Sequence, residues 1–134
     1  LLDSGLTSRL LNVSAESLSA DANPNAAGCL IETFVLSELR KQLPHSESGP
    51  RLFHWHDRSG PEVDAVLEAP DGRVVGLEIK TAASLGDADF KWLKLLRDKL
   101  GNRFAAGFVL YTGSAAVPWG ERLAGAPISV LWTA

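Results

Sequence analysis

Two acidic residues and a lysine lie in a segment whose pattern predicts a β-hairpin. Residues 62–81 read EVDAVLEAPDGRVVGLEIKT. In the turn at 69–73, Pro presets the backbone and Gly supplies a positive φ, as in a bulged hairpin. If Ala69 and Arg73 close this turn, counting back places Asp64 opposite Glu78. Directly opposed Cβ atoms on neighbouring strands lie roughly 4.5–5.5 Å apart, so the two carboxylates are expected to interact.

Opposed like charges destabilise a hairpin unless something neutralises them. The candidates are a divalent metal ion, a shared proton, or Lys80, which follows Glu78 by two residues and shares its strand face. Hard cations such as Mg²⁺ prefer oxygen ligands and are often held by one or two carboxylates. The pair therefore predicts a metal site on the hairpin. The alternative is a solvated strand face with a surface ion pair, and Glu62 and Glu68 are interpreted as peripheral.

A third acidic residue, Glu32, lies on a helix predicted over residues 24–43. Asn23 and Pro24 suit the cap and first position of this helix. Glu32 falls near the centre of an apolar stripe formed by Gly28, Cys29, Ile31, Val35, Leu36, Leu39 and Leu43. A carboxylate there is costly unless it is paired or bound to metal. We expect Glu32 to face the hairpin site, the alternatives being an ion pair to a buried basic group or a slightly rotated stripe. Glu38 is expected at the edge of the stripe.

The remaining segments predict elements on both sides of the hairpin. A short helix is predicted over 1–13, a strand over 51–56, a helix over 87–100 capped by Asp87, and a buried, parallel strand over 104–111. Residues 117–132 predict an edge strand and a helical turn. His54 and His56 share a strand face but have no third zinc ligand at a fitting spacing, so phosphate contact or simple exposure is expected. The basic residues of the second helix predict a solvated face or a phosphate-contacting rim.

The composition limits which classes of function are expected. The chain has 134 residues and a formal net charge of −3, so no global basic field recruits nucleic acid. The single Cys29 excludes an internal disulfide and a cysteine zinc cluster. With no long apolar run and no signal peptide, neither membrane spanning nor export is indicated, and a cytoplasmic location is expected. The chain contains no Met and is expected to be a piece of a longer protein.

The order helix, three strands, helix, strand resembles the PD-(D/E)XK nuclease superfamily, the restriction-endonuclease-like fold. The motif here is Asp64, thirteen residues, then Glu78-Ile79-Lys80, preceded by the helical Glu32. Val63 stands where the motif name has Pro. The resemblance implies an α/β fold with an αβββαβ core, in which a central mixed sheet is flanked by helices. It further implies one nuclease-like domain over 1–134, with a helical extension at 1–23, a core at 24–112, and the edge strand and short helix at 113–134.

The same resemblance implies catalytic roles for Glu32, Asp64, Glu78 and Lys80. Asp64 and Glu78, with the backbone carbonyl of Ile79, would hold Mg²⁺ or Mn²⁺, and Glu32 would hold a water or a second metal. Lys80 would help to activate the attacking water or steady the phosphorus. The reaction would be phosphodiester hydrolysis, with DNA as the expected substrate.

The wider chain is similar to a narrower family. The segments LLDSGL, GCLIETFVLSELRKQ, HWHDRSGPEVDAVLEAPDGRVVGLEIK, AGFVLYTG and APISVLW resemble the domain of unknown function numbered four-one-four-three. That domain is found at the C-terminus of bacterial and archaeal AAA-type ATPases, so the resemblance implies an ATPase domain upstream as a partner. The chain has no GxxxxGK[ST] loop, and no ATP site is expected in it.

A non-catalytic function stays open. The same fold could serve as an inactive module that binds nucleic acid or protein partners and regulates the ATPase, which the net negative charge favours. A sensor of protein partners would use tryptophans as interface anchors, although such residues also build cores: Trp55, Trp92, Trp119 and Trp132.

Overall fold

The computed structural model describes residues 24–45 and 49–132, and the side chains of 24–27, 29, 45 and 132 are not among those described. The described chain forms two α-helices and one six-stranded sheet, joined by short 3₁₀ turns. The helices are α1 (Pro24–Gln42) and α2 (Lys91–Leu100). The strands are β1 (Arg51–His56), β2 (Glu62–Glu68), β3 (Val74–Ile79), β4 (Phe104–Tyr111), β5 (Val117–Pro118) and β6 (Leu123–Pro127). The 3₁₀ turns are Leu43–His45, Asp87–Phe90, Gly101–Arg103 and Ile128–Trp132.

The sheet is mixed, with strand order β1-β2-β3-β4-β6-β5. Strands β1 to β3 form an antiparallel meander, β3, β4 and β6 run parallel, and β5 pairs antiparallel to β6. Helix α2 makes the crossover between the parallel strands β3 and β4, the usual role of a helix in such a connection. The predicted order of helix, three strands, helix and strand and the mixed α/β class are therefore confirmed.

One helix packs on each face of the sheet. The α1 face holds a buried cluster of apolar side chains: Ile31, Val35, Leu39, Ala65, Leu77, Leu110 and Ile128. The α2 face holds a second cluster: Val63, Val66, Val74, Phe90, Leu93, Leu96, Phe104, Val109 and Leu123. Gly76 lies where α2 approaches β3, because an added Cβ would lie 2.8 Å from a methyl carbon of Leu93. The strand thus presents its even-numbered residues from 74 onward to α2.

The β2–β3 hairpin has the predicted turn. The Ala69 amide donates to the Arg73 carbonyl at 2.8 Å, and Gly72 has a φ of 91°. The register pairs Val66 with Gly76 and Ala65 with Leu77. The ladder ends at this last pair, and Asp64 and Glu78 are the next residues on the two strands.

Strand β2 contains a β-bulge that the sequence analysis does not predict. Phe53 pairs with Val66 and Trp55 with Val63, so β2 has one more residue than β1 in this interval. The extra residue falls at Asp64 and Ala65. A bulge bends its strand and re-aims the side chains at it, and bulges are frequent beside functional sites.

Helix α1 begins and ends close to its predicted bounds, and Ile31, Val35 and Leu39 of the predicted stripe are buried, but the prediction for its two glutamates is wrong. Glu38, expected at the edge, is 2% exposed, whereas Glu32, expected at the centre, is only partly buried. The stripe is rotated by about one residue, because Phe34 and Glu38 are buried beside Val35 and Leu39. Glu38 Oε1 lies 3.6 Å from Lys41 Nζ, and Oε2 accepts no hydrogen bond within the described residues.

The ends of the other elements also differ from prediction. A 3₁₀ turn, Asp87–Phe90, precedes α2, and Asp87 bonds Lys94 and Trp119 through its side chain instead of capping the helix. The segment after β4 contains β6, which was not predicted, as well as the predicted short edge strand β5 and a final 3₁₀ turn. The helix predicted over 1–13 and the cap at Asn23 lie outside the described residues. The division of the chain into one domain with extensions stays a prediction.

No helix among the described residues combines the length and apolar character needed to cross a membrane.

Candidate functional site

Asp64 and Glu78 are joined at the end of the hairpin by two reciprocal hydrogen bonds. The Asp64 backbone N–H donates to Glu78 Oε1 at 3.2 Å, and the Ile79 backbone N–H donates to Asp64 Oδ2 at 2.9 Å. Each carboxylate therefore accepts a hydrogen bond from the backbone of the opposite strand. This arrangement brings the two acidic side chains together, as the register of the hairpin requires.

The environment favours protonation of this pair. Burial raises the pKa of Glu78 to about 8, and the nearby charge of Asp64 adds to the shift. Burial likewise raises the pKa of Asp64, partly offset by the hydrogen bond from the Ile79 N–H. Two close carboxylates out of water resist double ionisation, so the metal-free pair holds a proton near neutral pH. A shared proton is one of the three neutralising devices that the sequence analysis names.

Lys80 lies directly after β3, on the same face as Glu78. Its backbone N–H donates to the Leu110 carbonyl at 2.8 Å, which extends the parallel pairing to β4. Its Nζ lies 3.4 Å from Asp89 Oδ1, in the 3₁₀ turn before α2. The charge of Lys80 opposes the pKa increases of Asp64 and Glu78, but its ion pair is with Asp89. Lys80 is thus held beside the acidic pair by a residue that the sequence analysis does not single out.

Glu32 faces the same group of acids from the α1 side of the sheet. Burial is the largest cause that raises the pKa of Glu32, and the charges of Asp64 and Glu62 raise it further. One turn earlier on α1, a Cβ added at Gly28 would lie 3.7 Å from Thr81 Oγ1, so the helix passes over the end of β3. The expectation that Glu32 points toward the hairpin acids agrees with this geometry, although the side chain lies at the margin of the core.

Glu62 is the acid that sequence reasoning undervalues. Its charge raises the pKa of Glu32, Asp64 and Glu78 alike. Strand alternation provides the missed signal, because Glu62 precedes Asp64 by two residues at the start of β2. Glu68, the other acid interpreted as peripheral, pairs with Arg103 at 2.9 Å at the opposite end of the strand.

The two histidines of β1 flank this acidic group. Their rings stack with centroids 6.3 Å apart. His54 Nδ1 lies 3.4 Å from the Asp64 carbonyl oxygen, and Nε2 lies 3.9 Å from Glu62 Oε2. The bulge in β2 falls opposite His54. The histidine side chains are thus placed against the strand that carries Asp64.

A comparison with protein families shows to which family the chain belongs. A family model described as "Domain of unknown function (DUF4143)" matches residues 27–131, most of the chain. The chain belongs to this family. The matched range includes α1, the hairpin and the parallel strands, and so all the candidate site residues of this DUF4143 member. A comparison with curated proteins found no match.

The side chains available as ligands in this DUF4143 domain limit which metal ion it could hold. Within the part of the chain that the structure describes, no group of three or more His, Cys, Asp or Glu side chains is placed to hold a metal ion. Zinc sites need three or four such protein ligands. Mg²⁺ is commonly held by one or two carboxylates and keeps several waters, so the oxygen donors of Asp64 and Glu78 fit this ion.

The basic residues of α2 are mostly committed to ion pairs. Lys94 pairs with Asp87 at 2.6 Å, Arg97 with Asp98 at 3.2 Å and Lys99 with Asp57 at 3.5 Å. Lys91 lies 4.5 Å from the ring centroid of Trp92. Of the two interpretations of these basic residues, the contacts favour a solvated helix face over a rim that contacts phosphates.

Proposed function

We propose that this domain is a metal-dependent phosphodiesterase of the DNA-endonuclease type, attached to an AAA-type ATPase in the same polypeptide. The observation that carries the proposal is the reciprocal pairing of Asp64 and Glu78 at the end of the hairpin, with Lys80 two residues beyond. A buried acid paired with a partly buried one beside a lysine, with the pKa of both acids raised, is typical of catalytic sites rather than of solvated strand faces.

Asp64 and Glu78, with the backbone carbonyl of Ile79, would hold the Mg²⁺ or Mn²⁺ ion. Such an ion orients the reacting groups and offsets the negative charge that develops at phosphorus. Glu78 must give up its proton to serve as a ligand, and the cation favours that ionisation. The hydrogen bonds from the Asp64 and Ile79 amides hold the two carboxylates close together beforehand.

Lys80 supplies a cationic donor on the same strand face as Glu78. Its ammonium group can orient the attacking water or donate to a phosphate oxygen, and Asp89 limits how far it moves. Glu32 accepts hydrogen bonds from water at the α1 side of the site, where its carboxylate is partly exposed. The two residues therefore approach the acidic pair from opposite faces of the sheet.

Calorimetric titration with Mg²⁺ and with Mn²⁺ tests the metal ligands. Wild-type protein should give binding heat that Asp64→Ala and Glu78→Ala abolish, whereas the surface variant Glu121→Gln should behave as wild type. Absence of metal heat in the wild type would remove the proposed ligand set. Cleavage of labelled DNA should then require the metal, and full activity in Lys80→Ala would remove the role of Lys80.

A second candidate function is a catalytically inactive module that binds nucleic acid or protein partners and regulates the ATPase. The ion pair between Lys80 and Asp89 favours it, because a lysine engaged at 3.4 Å must be released or shared before it acts on a substrate. The two functions separate in one assay: the inactive module binds its partner without any metal-dependent cleavage, and its binding is unaffected by Lys80→Ala.

A further inference from the structure

A groove runs between α1 and the edge strand β1 and includes Asp64, one member of the acidic pair. It has a volume of about 400 Å³. The lining residues come from the helix, from β1 and from the bulge of β2: Leu36, Arg40, Leu52, Phe53, His54 and Asp64. Because β1 is the first strand of the sheet, the groove lies at the sheet margin, where no further strand of the described chain pairs.

The polar side chains that line the groove include both an acid and a base. Asp64 lies at one end, close to the charges of Glu62 and Glu32. Arg40 lines the groove from α1, is exposed, and forms no salt bridge with any acid in the described ranges. His54 stands on β1 beside the Asp64 carbonyl. The groove thus offers, among the described residues, a guanidinium without an acidic partner on the same surface as Asp64, which suits an anion whose reacting group extends toward Asp64.

The floor of the groove is apolar. Leu36 and Leu52 line it and pack at the border of the α1-side cluster. A ligand that matches this surface has one anionic part and one apolar, planar or carbocyclic part. A nucleotide has this composition, since its phosphate can bind Arg40 while its base and sugar lie on the leucines.

We propose that this groove binds a nucleotide of an unpaired nucleic-acid strand and leads the adjoining phosphodiester to Asp64. The proposal rests on the phosphodiesterase function and names its substrate class. A volume of about 400 Å³ lies at the lower end of small-molecule sites and holds about one nucleotide, not a base pair. A duplex keeps its bases stacked inside the helix, so it cannot place one on the leucine floor without unpairing.

Fluorescence anisotropy with labelled oligonucleotides tests this groove without cleavage. The 134-residue chain is titrated onto an eight-nucleotide thymidine single strand, and onto a DNA hairpin whose stem stays base-paired under the same conditions, in EDTA at about 50 mM salt. The single strand should bind at least about tenfold more tightly than the duplex. Arg40→Gln should weaken single-strand binding about fivefold, which is the effect of losing an exposed ion pair. The slope of the logarithm of the binding constant against the logarithm of the salt concentration should become less steep by about 0.7, because one phosphate contact is lost.

Two controls make the outcome specific to the groove. Arg73→Gln removes an arginine of the hairpin turn, at the opposite end of the strands, and it should bind as wild type. Among the residues that the structure describes, the only ion pair of Arg73 is with Asp71 at 2.8 Å. Polyglutamate of matched charge should not displace the oligonucleotide. Displacement by polyglutamate would show an acidic-peptide site and overturn the proposal, as would equal binding of duplex, unchanged binding in Arg40→Gln, or no binding of the single strand.

The substrate proposal and the phosphodiesterase proposal fail separately. Single-strand binding that depends on Arg40, without metal-dependent cleavage, would support the groove and overturn the phosphodiesterase function. Metal-dependent cleavage that prefers duplex and ignores Arg40→Gln would support the phosphodiesterase and overturn the groove.

Discussion

Replacing Glu78 with glutamine should stabilise the metal-free protein, and increasingly so as the pH rises. Glu78 is 9% exposed, and its pKa is raised from 4.5 to about 8, first by burial and then by Asp64. Glutamine keeps the oxygen that accepts the Asp64 N–H bond but carries no charge at any pH. The substitution therefore removes the ionisation and leaves the hydrogen bond.

The size of the effect follows from the two pKa values. Between pH 4.5 and about 8 the folded protein keeps a proton that the unfolded chain releases, so the unfolded chain binds fewer protons and stability falls with rising pH. At about 1.4 kcal/mol per pH unit, ionisable Glu78 costs roughly 3 kcal/mol at pH 7 and under about 1 kcal/mol at pH 5. The variant and the wild type should therefore be close at pH 5 and separate above it.

Urea unfolding at pH 5, 6, 7 and 8 measures this difference, since urea leaves the charges unscreened. Glu121→Gln, a substitution of the same kind on the surface, should stay within about 0.5 kcal/mol of wild type throughout. A gap between Glu78→Gln and wild type that is the same at pH 5 and pH 8 would refute the argument that burial and Asp64 hold the proton on Glu78.

Three further predictions concern the same strands. Asp64→Asn should lower the pKa of Glu78 toward its ordinary value, as measured by carboxyl ¹³C NMR titration, because the Asp64 charge is its second cause; an unchanged titration would contradict the coupling. Lys80→Met should reduce metal-dependent cleavage by at least about 100-fold while metal-binding heat persists, and lost heat would instead indicate structural damage. Gly76→Ala should destabilise by about 1–3 kcal/mol in urea, because its Cβ would meet a leucine methyl at 2.8 Å, whereas Gly86→Ala, in open space, should cost less than about 1 kcal/mol.

The hairpin was predictable because residues close together in the sequence determine it. The Pro-Asp-Gly turn fixes which residues close it, and the side-chain period of two then sets every pair up to Asp64 and Glu78. The bulge in β2 was not predictable, since it depends on how β1 meets β2 and leaves no turn signal of its own.

The face of α1 was misjudged because its stripe is ambiguous. Apolar residues occur around much of the helix, so the pattern does not fix the centre of the stripe, and Glu38, expected at its edge, is buried. The partner of Lys80 was also beyond sequence reasoning. Asp89 reaches it only because a 3₁₀ turn, and not the predicted first turn of a helix, brings Asp87–Phe90 back over the end of β3.

The hydrogen bonds between the acidic pair and the strand backbones constrain which carboxylate oxygens a cation can take. The Asp64 amide engages Glu78 Oε1 and the Ile79 amide engages Asp64 Oδ2, whereas Glu78 Oε2 and Asp64 Oδ1 receive neither of these bonds. A cation bound through the second pair of oxygens leaves both amide bonds in place. A cation that displaces both amides loses about 0.5–1.5 kcal/mol for each bond, which weakens its apparent affinity roughly 5- to 150-fold. Amide hydrogen exchange at Asp64 and Ile79 would distinguish these two binding modes.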